Sequence, residues 1–591
     1  MTTADYPLPV QQHGGTRQAE GFATPQQDKR LQCARFPPPR VLPVIFLPGI
    51  MGSNLRLSAQ RQQELKQKDN IAWRPDSLGA SNIRRNAQDR PRDRQLRLDP
   101  LQTTVDIYDL SGPSEVNGDG RHVNVELDGS FHSPLLMDDL PTATNGRTAV
   151  QKARARGWGE VFFKSYGQLL QHLESRLNNT FSEGELRQEW RDVVGVDPSV
   201  WGADQRLPLQ ALSEDELKKV AMDCWFAVYA FGYNWLQSNG DSAKIIAKRI
   251  EQVIGDLTRS GYECNQVIVV THSMGGLVGR ALIHPKYGNL QDKVLGIVHG
   301  VMPAIGAPAA YKRMRAGFED PGMMSSPTES LGAKVAGNFG DEVTAVLANA
   351  PGGLQLLPTE SYGNGWLRVK HNGCDLDSWP KQGDPYKEIY KTRGKWYSLF
   401  REEWINPSGW PQDRGGGTFE RTCNYVEKAQ NFHQTIANTF HPNSYAHYGA
   451  DPGRQSFGEV VWEIDKNCAD PNGWQEWPIL SDTRQGSVEL VRRKDNSDNK
   501  AFSPWIATPR MPQAGGSEIA ESIHASIRPP SASGDQTVPI RSADYQLTSG
   551  VLKGVFRQIG YEHQSSCKDP RAIAATLYSI VRVAQTATWK C

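Results

Sequence analysis

Four short stretches of this 591-residue chain hold residue types that could share one reaction. The first is Val267-Ile-Val-Val-Thr-His-Ser-Met-Gly-Gly276, where an apolar run meets Ser273 and then two glycines. A buried strand, a sharp turn and a helix form the context that lifts a serine hydroxyl clear for attack on an acyl carbon. Such a turn needs small neighbours two positions either side of the serine, so that strand and helix pass closely. Gly275 and Gly276 supply that room after Ser273, whereas Thr271 stands where glycine is usual before it, which makes this elbow tighter than most. Taken alone, the pattern also fits a serine in an ordinary Gly-rich turn.

The second stretch, Leu47-Pro-Gly-Ile-Met-Gly-Ser53, closes the apolar run that begins at Pro43. The oxyanion of acyl transfer is held by two backbone N–H groups, one from the residue after the nucleophile and one from the loop after an early strand. Those residues would be Met274 and Ile50, with Gly49 and Gly52 letting the backbone come close to a substrate carbonyl. The third stretch, Gly534-Asp535-Gln-Thr-Val-Pro539, sets a carboxylate directly after a glycine turn, and the fourth is Gly560-Tyr-Glu-His-Gln564. The chain order Ser, acid, His is the one required of such a site. Ser273 would attack the carbonyl, and His563 would take its proton and return it to the leaving group. Asp535 would fix the imidazole tautomer and stabilise the imidazolium. His272 adjoins the nucleophile, but elbow geometry turns adjacent side chains away. His299 is a weaker base, since its place between nucleophile and acid breaks the order. Asp544 and Glu562 are alternative acids, and neither follows a glycine turn.

A frame must bring these stretches together. From residue 43 to about 302, apolar runs and helical periodicities alternate. Phe162–Leu177, Ser242–Leu257 and Gly275–Ile283 are spaced as helices. Gln266–Val270 and Lys293–Met302 read as buried strands, and the aromatic run Trp225–Trp235 suits a central strand. That alternation predicts an α/β fold with a mostly parallel central sheet and helices on both faces. Residues 56–150 form a polar, irregular excursion. Residues 310–525 are rich in Gly, Pro, Asn and Trp and read as one large irregular cap or lid over the C-terminal edge of the sheet. The chain then returns to the core through Asp535–Ile540, Val555–Ile559 and the helical Asp569–Gln585. The division is thus a flexible lead (1–40), a first core part (41–309), the cap (310–525) and a second core part (526–591). Within the cap, Met323, Met324, Trp366, Trp379, Trp396, Trp404 and Trp410 read either as its core or as a lipid-contacting surface.

Bulk properties exclude several classes. Lys and Arg number 66 against 65 Asp and Glu, so there is none of the basic excess expected of a nucleic-acid binder. The charged run Arg84–Arg97 reads as a solvated loop. No stretch of 18 apolar residues occurs, and residues 1–40 contain no apolar signal core. The expectation is a chain made in the cytoplasm without a signal peptide, with export by a signal-independent route left open. The eight cysteines are scattered, and Cys567 with Cys591 is one candidate pair. No zinc-binding, EF-hand or phosphate-cradling motif is present, so neither metal nor cofactor is expected.

The set LPGIMGS, AFGYNW, THSMGG and GDQTVP followed by a histidine resembles the lipase branch of the α/β-hydrolases. It looks most like the lecithin–cholesterol acyltransferase-like and GPI inositol-deacylase-like groups, over residues 41–305 and 530–586. The chain is also similar to bacterial phospholipase effectors of type VI secretion. These resemblances imply the catalytic roles given above for Ser273, Asp535 and His563, and an oxyanion hole at Ile50 and Met274. They imply hydrolysis of membrane-lipid esters, transient contact with a membrane surface, a cognate immunity protein, a secretion-apparatus component as partner, and delivery into a rival's periplasm. Two other readings stay open: a soluble carboxylesterase, thioesterase or amidase on the same triad, and a catalytically silent fold used for binding.

Overall fold

The computed structural model describes residues 10–13, 16–22, 31–36, 40–75, 89–114, 116, 118, 120–139, 146–182, 184–318, 337–410, 417–465, 473–493 and 519–589. Six strands make the central sheet: β1 (Val44–Leu47), β2 (Val228–Ala230), β3 (Val267–His272), β4 (Val294–Gly300), β5 (Ser444–Gly449) and β6 (Gly554–Gln558). They lie in the order β2-β1-β3-β4-β5-β6, and every neighbouring pair is parallel.

Alternation along the strands feeds two separate cores. Ile45, Leu47, Val267 and Val269 point to one face. There they meet helices α2 (Asn239–Arg259) and α3 (Gly275–Ile283), through Ile246, Ile250, Leu277 and Val278. Val44, Phe46, Ile268 and Val270 point to the other. There they meet helix α1 (Phe163–Asn178) and the C-terminal helix α7 (Pro570–Ala584), through Leu169, Leu173, Leu577 and Ile580. A strand covered on both faces carries no polar alternation, which is why β1 and β3 are apolar almost throughout.

Within the lead expected to be flexible, Val10–His13, Thr16–Phe22 and Leu31–Phe36 pair as a three-stranded antiparallel sheet. Three further expectations are corrected. The aromatic run Trp225–Trp235 does not form a central strand: only Val228–Ala230 is a strand, and it lies at the sheet edge. Its apolar character arises because that edge is sealed by the protein itself. Glu174 on α1 accepts the Val228 N–H at 2.8 Å, Trp158 Nε1 donates to the Val228 carbonyl at 3.1 Å, and the Arg156 carbonyl accepts the Ala230 N–H. Second, residues 310–525 are not one uninterrupted cap, since β5 belongs to the central sheet. Its sequence, Ser-Tyr-Ala-His-Tyr-Gly, is buried at every position yet offers no β-branched run to mark it. Nor is the remainder irregular. A second six-stranded sheet is built from Leu367–His371, Cys374–Trp379, Val460–Ile464, Ile479–Asp482, Ser487–Arg493 and Ile519–Ile527. With it come α4 (Ala309–Ala316), α5 (Gly340–Leu347) and α6 (Gly417–Ile436).

Third, the charged run is no solvated loop. Residues 84–88 lie outside the described residues, but Pro91–Arg97 is helical and buries Arg94 and Arg97. Arg94 Nε donates to the Asp89 carbonyl at 3.0 Å, and Arg97 pairs with the Asp89 carboxylate. Asp341 and Glu342, at the start of α5, add negative charge toward Arg94. The run therefore fastens the first excursion to the cap. Among the cap tryptophans, Trp366, Trp379, Trp396 and Trp404 are buried as its core and Trp410 is 47% exposed, while Met323 and Met324 lie outside the described residues. Cys567 is a free, buried thiol, and Cys591 lies outside the described residues. Among the described residues, no helix is long and apolar enough to cross a membrane.

Candidate active site

Ser273 occupies the single turn between β3 and α3, in the left-handed region at φ +53°. For a residue with a side chain that conformation is strained, and such strain clusters at functional sites. Contacts on both sides enforce it. The Ser273 N–H donates to the Gly300 carbonyl at 2.8 Å. A Cβ on Gly275 would come within 2.5 Å of the Leu47 carbonyl oxygen, and one on Gly276 within 2.4 Å of the Met302 sulfur. The room that glycine would supply at position 271 comes from the helix instead. A Cβ on Gly279 would meet the Thr271 methyl at 3.1 Å, so threonine is admitted because residue 279 has no side chain.

The three residues expected to act together are in contact. Ser273 Oγ lies 2.8 Å from His563 Nε2, and His563 Nδ1 lies 2.8 Å from Asp535 Oδ2. A carboxylate only accepts, so Nδ1 carries the imidazole hydrogen and Nε2 is left to accept the serine proton. Asp535 is fully buried, and its other oxygen accepts the backbone N–H groups of Thr537 (3.1 Å) and Val538 (2.7 Å). Its own N–H donates to Ser456 Oγ at 3.2 Å, and its carbonyl accepts the His563 N–H at 2.8 Å. The carboxylate therefore has one orientation.

The alternatives are occupied elsewhere. His299 contacts Thr271 Oγ1 at 3.1 Å, and burial pushes its imidazole down to about 3. Asp544 accepts from Tyr448 Oη and Arg557. Glu562 accepts the backbone N–H groups of Gln564 and Ser565. The His272 imidazole is turned away from Ser273 Oγ, toward Tyr166 Oη and the His563 carbonyl.

Two elements set the Pro48–Gly52 turn beside the serine. A Cβ on Gly49 would lie 3.0 Å from Ser273 Cβ. The AFGYNW stretch runs beneath: the Phe231 N–H donates to the Phe46 carbonyl, Tyr233 Oη donates to the Pro48 carbonyl at 2.7 Å, and the Tyr233 N–H donates to Ser53 Oγ. This explains why LPGIMGS and AFGYNW occur together. Among the described residues, the backbone N–H groups of Ile50 and Met274 have no acceptor within the protein, and Met274 heads α3, where helix amides point outward.

Ser273 and His563 open on a cleft of about 370 Å³. Its walls are mostly apolar, including Ile50, Trp73, Phe162, Phe318, Leu347 and Leu356, the last three from the cap side. Beside them lie Lys164, Gln564, Thr537 and Arg313, whose guanidinium donates to Thr537 Oγ1 at 3.1 Å and stacks on Phe318. A larger hollow of about 600 Å³ elsewhere contains none of these residues, and its Arg156 and Arg249 are paired with Glu174 and Glu160. A buried Ser–His–Asp chain at the end of an apolar cleft can move a proton off a hydroxyl while excluding bulk water. Tyr166 and Arg313 are missed by sequence reading because nothing local distinguishes them from any residue of an amphipathic helix.

The Gly275 contact gives a stability test. Gly275→Ala is expected to lower both the thermal midpoint and esterase activity, despite the ~1 kcal/mol that alanine gains over glycine inside a helix. An unchanged midpoint with unchanged activity would mean that the 47–48 backbone yields freely.

No family model matches the sequence, and no curated protein does. A solved structure, described as the crystal structure of the Tle4–Tli4 complex, matches with a TM-score of 0.68 and 30% identity, covering 93% of this chain and 99% of the matched one.

Proposed function

The chain belongs to the family represented by the matched protein of the Tle4–Tli4 complex, and from that premise we propose that it is a serine-dependent lipase or phospholipase acting on membrane lipids. The observation that carries this reading is the continuous Asp535–His563–Ser273 chain opening on an apolar cleft. Ser273 Oγ attacks the acyl carbonyl carbon as His563 Nε2 takes its proton. The oxyanion forms against the Ile50 and Met274 N–H groups, which need no reorganisation as charge develops. The imidazolium, steadied by Asp535, then protonates the leaving alcohol and leaves an acyl-serine. Water, activated by the same histidine, releases the fatty acid. No step calls on a metal or cofactor.

The biological role we propose is that of an antibacterial effector delivered by type VI secretion into a rival's periplasm and held in check by an immunity protein. The pairing of the matched protein with Tli4 supports a dedicated partner. A soluble carboxylesterase or thioesterase would share the triad. The extent of apolar wall contributed by the cap favours a long acyl chain over a small ester.

Fatty-acid release from phospholipid vesicles, set beside hydrolysis of p-nitrophenyl butyrate, tests the reading. Release from vesicles supports it, whereas cleavage of the butyrate alone replaces it with the soluble-esterase reading. Arg313 sharpens the test, since it is anchored through Thr537 and lines the same cleft as His563, which protonates the leaving group. Arg313→Gln is expected to raise KM for vesicles by roughly tenfold, the scale of one charge-assisted hydrogen bond, and by less for the butyrate. Equal changes for both substrates would remove Arg313 from lipid recognition.

A further inference from the structure

Two buried side chains that the triad does not use join its two halves. The Gly49 N–H donates to Tyr166 Oη at 3.3 Å. Tyr166 Oη lies 3.3 Å from His272 Nδ1, and His272 Nε2 lies 3.2 Å from the His563 carbonyl oxygen. Both ends of this chain are backbone groups with fixed roles, because an amide N–H only donates and a carbonyl only accepts. The direction of every link follows. His272 carries its hydrogen on Nε2, its Nδ1 accepts the Tyr166 O–H, and the Tyr166 oxygen accepts the Gly49 N–H. Burial, and then the neighbouring His563, hold the His272 imidazole well below its ordinary range, which suits the neutral tautomer that these links require.

The fit around the phenol is close. A Cβ on Gly52 would come within 2.7 Å of Tyr166 Oη, and one on Gly49 within 3.1 Å of His272 Nδ1. The hydroxyl therefore sits inside the turn that carries Ile50. The ring packs against Phe46 (5.0 Å between centroids) and against His272 (5.3 Å), and His272 packs in turn against His563 (5.2 Å). At the far end, Ser566 Oγ also donates to the His563 carbonyl, at 2.8 Å.

We propose that Tyr166 and His272 are positioning residues that hold the Pro48–Gly52 turn, and with it the Ile50 amide, in register with the backbone of His563. The inference rests on reading Ser273, His563 and Asp535 as an acyl-transfer triad. An oxyanion donor acts only when it meets the position the oxygen reaches in the transition state, while the base must at the same time reach the serine hydroxyl. Here these two requirements fall on segments from opposite ends of the chain. The Tyr166–His272 pair is a hydrogen-bonded path between them that bypasses the nucleophile.

The test compares wild type with Tyr166→Phe, His272→Asn and His272→Gln, all in the full chain. The readouts are kcat and KM for p-nitrophenyl butyrate and the rate of inactivation by an organophosphonate, whose adduct mimics the tetrahedral state. Tyr166→Phe is expected to lower kcat and the inactivation rate by roughly 10- to 100-fold, somewhat less than outright loss of an oxyanion donor, with KM within about threefold of wild type. Asparagine at 272 keeps an acceptor toward Tyr166 but cannot reach the His563 carbonyl. Glutamine can reach it with an amide N–H, and is expected to recover most of the kcat lost in His272→Asn. Retention of kcat within about twofold in either Tyr166→Phe or His272→Asn would overturn the proposal. So would equal losses in the two His272 variants, which would reduce the role to packing. Should Tyr166→Phe fail to fold, the His272 pair decides alone. Failure of the triad reading would look different, because wild type itself would neither turn over the ester nor react with the phosphonate.

Discussion

Replacing Ser273 by alanine is expected to lower kcat for vesicle phospholipid and for soluble ester alike by on the order of 10⁶-fold, the scale of loss when the nucleophile of such a triad is removed. That corresponds to about 8 kcal/mol of transition-state stabilisation. The fold should tolerate the change. Alanine keeps the Cβ that already sits 3.0 Å from the place a Gly49 side chain would take, and only Oγ and its bond to His563 are lost. The strained backbone at φ +53° is the same for either residue. Fatty-acid release by wild type and variant, measured alongside a thermal melt, checks this. A variant that melts like wild type yet keeps more than a few per cent of its activity would remove Ser273 from the chemistry.

Asp535→Asn has the next largest expected effect, roughly a 10⁴-fold fall in kcat with little change in KM. The direction follows from two backbone donors. The Thr537 and Val538 N–H groups both point at one oxygen of residue 535, so an asparagine must present its carbonyl oxygen to them. Its NH₂ group then faces His563 Nδ1. An imidazole that accepts a hydrogen bond at Nδ1 carries its hydrogen on Nε2, where it can no longer accept the proton of Ser273. The variant should therefore fold around an intact but wrongly protonated triad. Pre-steady-state acylation by an activated ester measures the step directly. An acylation rate within about tenfold of wild type would mean that Asp535 does not set the tautomer.

The strand–serine–helix elbow, the Pro48–Gly52 turn and the two short stretches that carry Asp535 and His563 are legible in the chain because each is local. Val267–Gly276 states a buried strand, a strained turn and a helix within one contiguous run, and the strand and helix form where those residues require. The same holds for the helices around residues 163–178 and 239–259, whose apolar periodicities reflect a single buried side, while the helix at 570–584 is apolar because it is buried almost all round. The substitution of Thr271 for glycine looks like a weakness when read along the chain. It becomes intelligible only when Gly279, about one turn into the helix that follows the serine, is seen to make the space.

What only the tertiary structure decided is what depends on partners distant in sequence. The aromatic run at 225–235 reads as a central strand because its residues are buried, but burial does not say by what. Glu174, Trp158 and the Arg156 carbonyl seal it as an edge. Strand β5 is hidden by the reverse effect, since polar and aromatic residues can fill a buried strand when their groups find partners, as Tyr448 does with Asp544. Arg94 and Arg97 read as solvated until α5 packs against their helix and sets Asp341 and Glu342 near Arg94. Tyr166 and His272 gain meaning only when a turn near the start of the chain and a histidine near its end are brought to opposite sides of one hydrogen-bonded path. Residue type and near-neighbour spacing thus determine which chemistry the chain can attempt. The folded structure decides which polar groups are desolvated together, and so which of them act on one another, because hydrogen bonding and burial join residues by distance in space and not by separation along the chain.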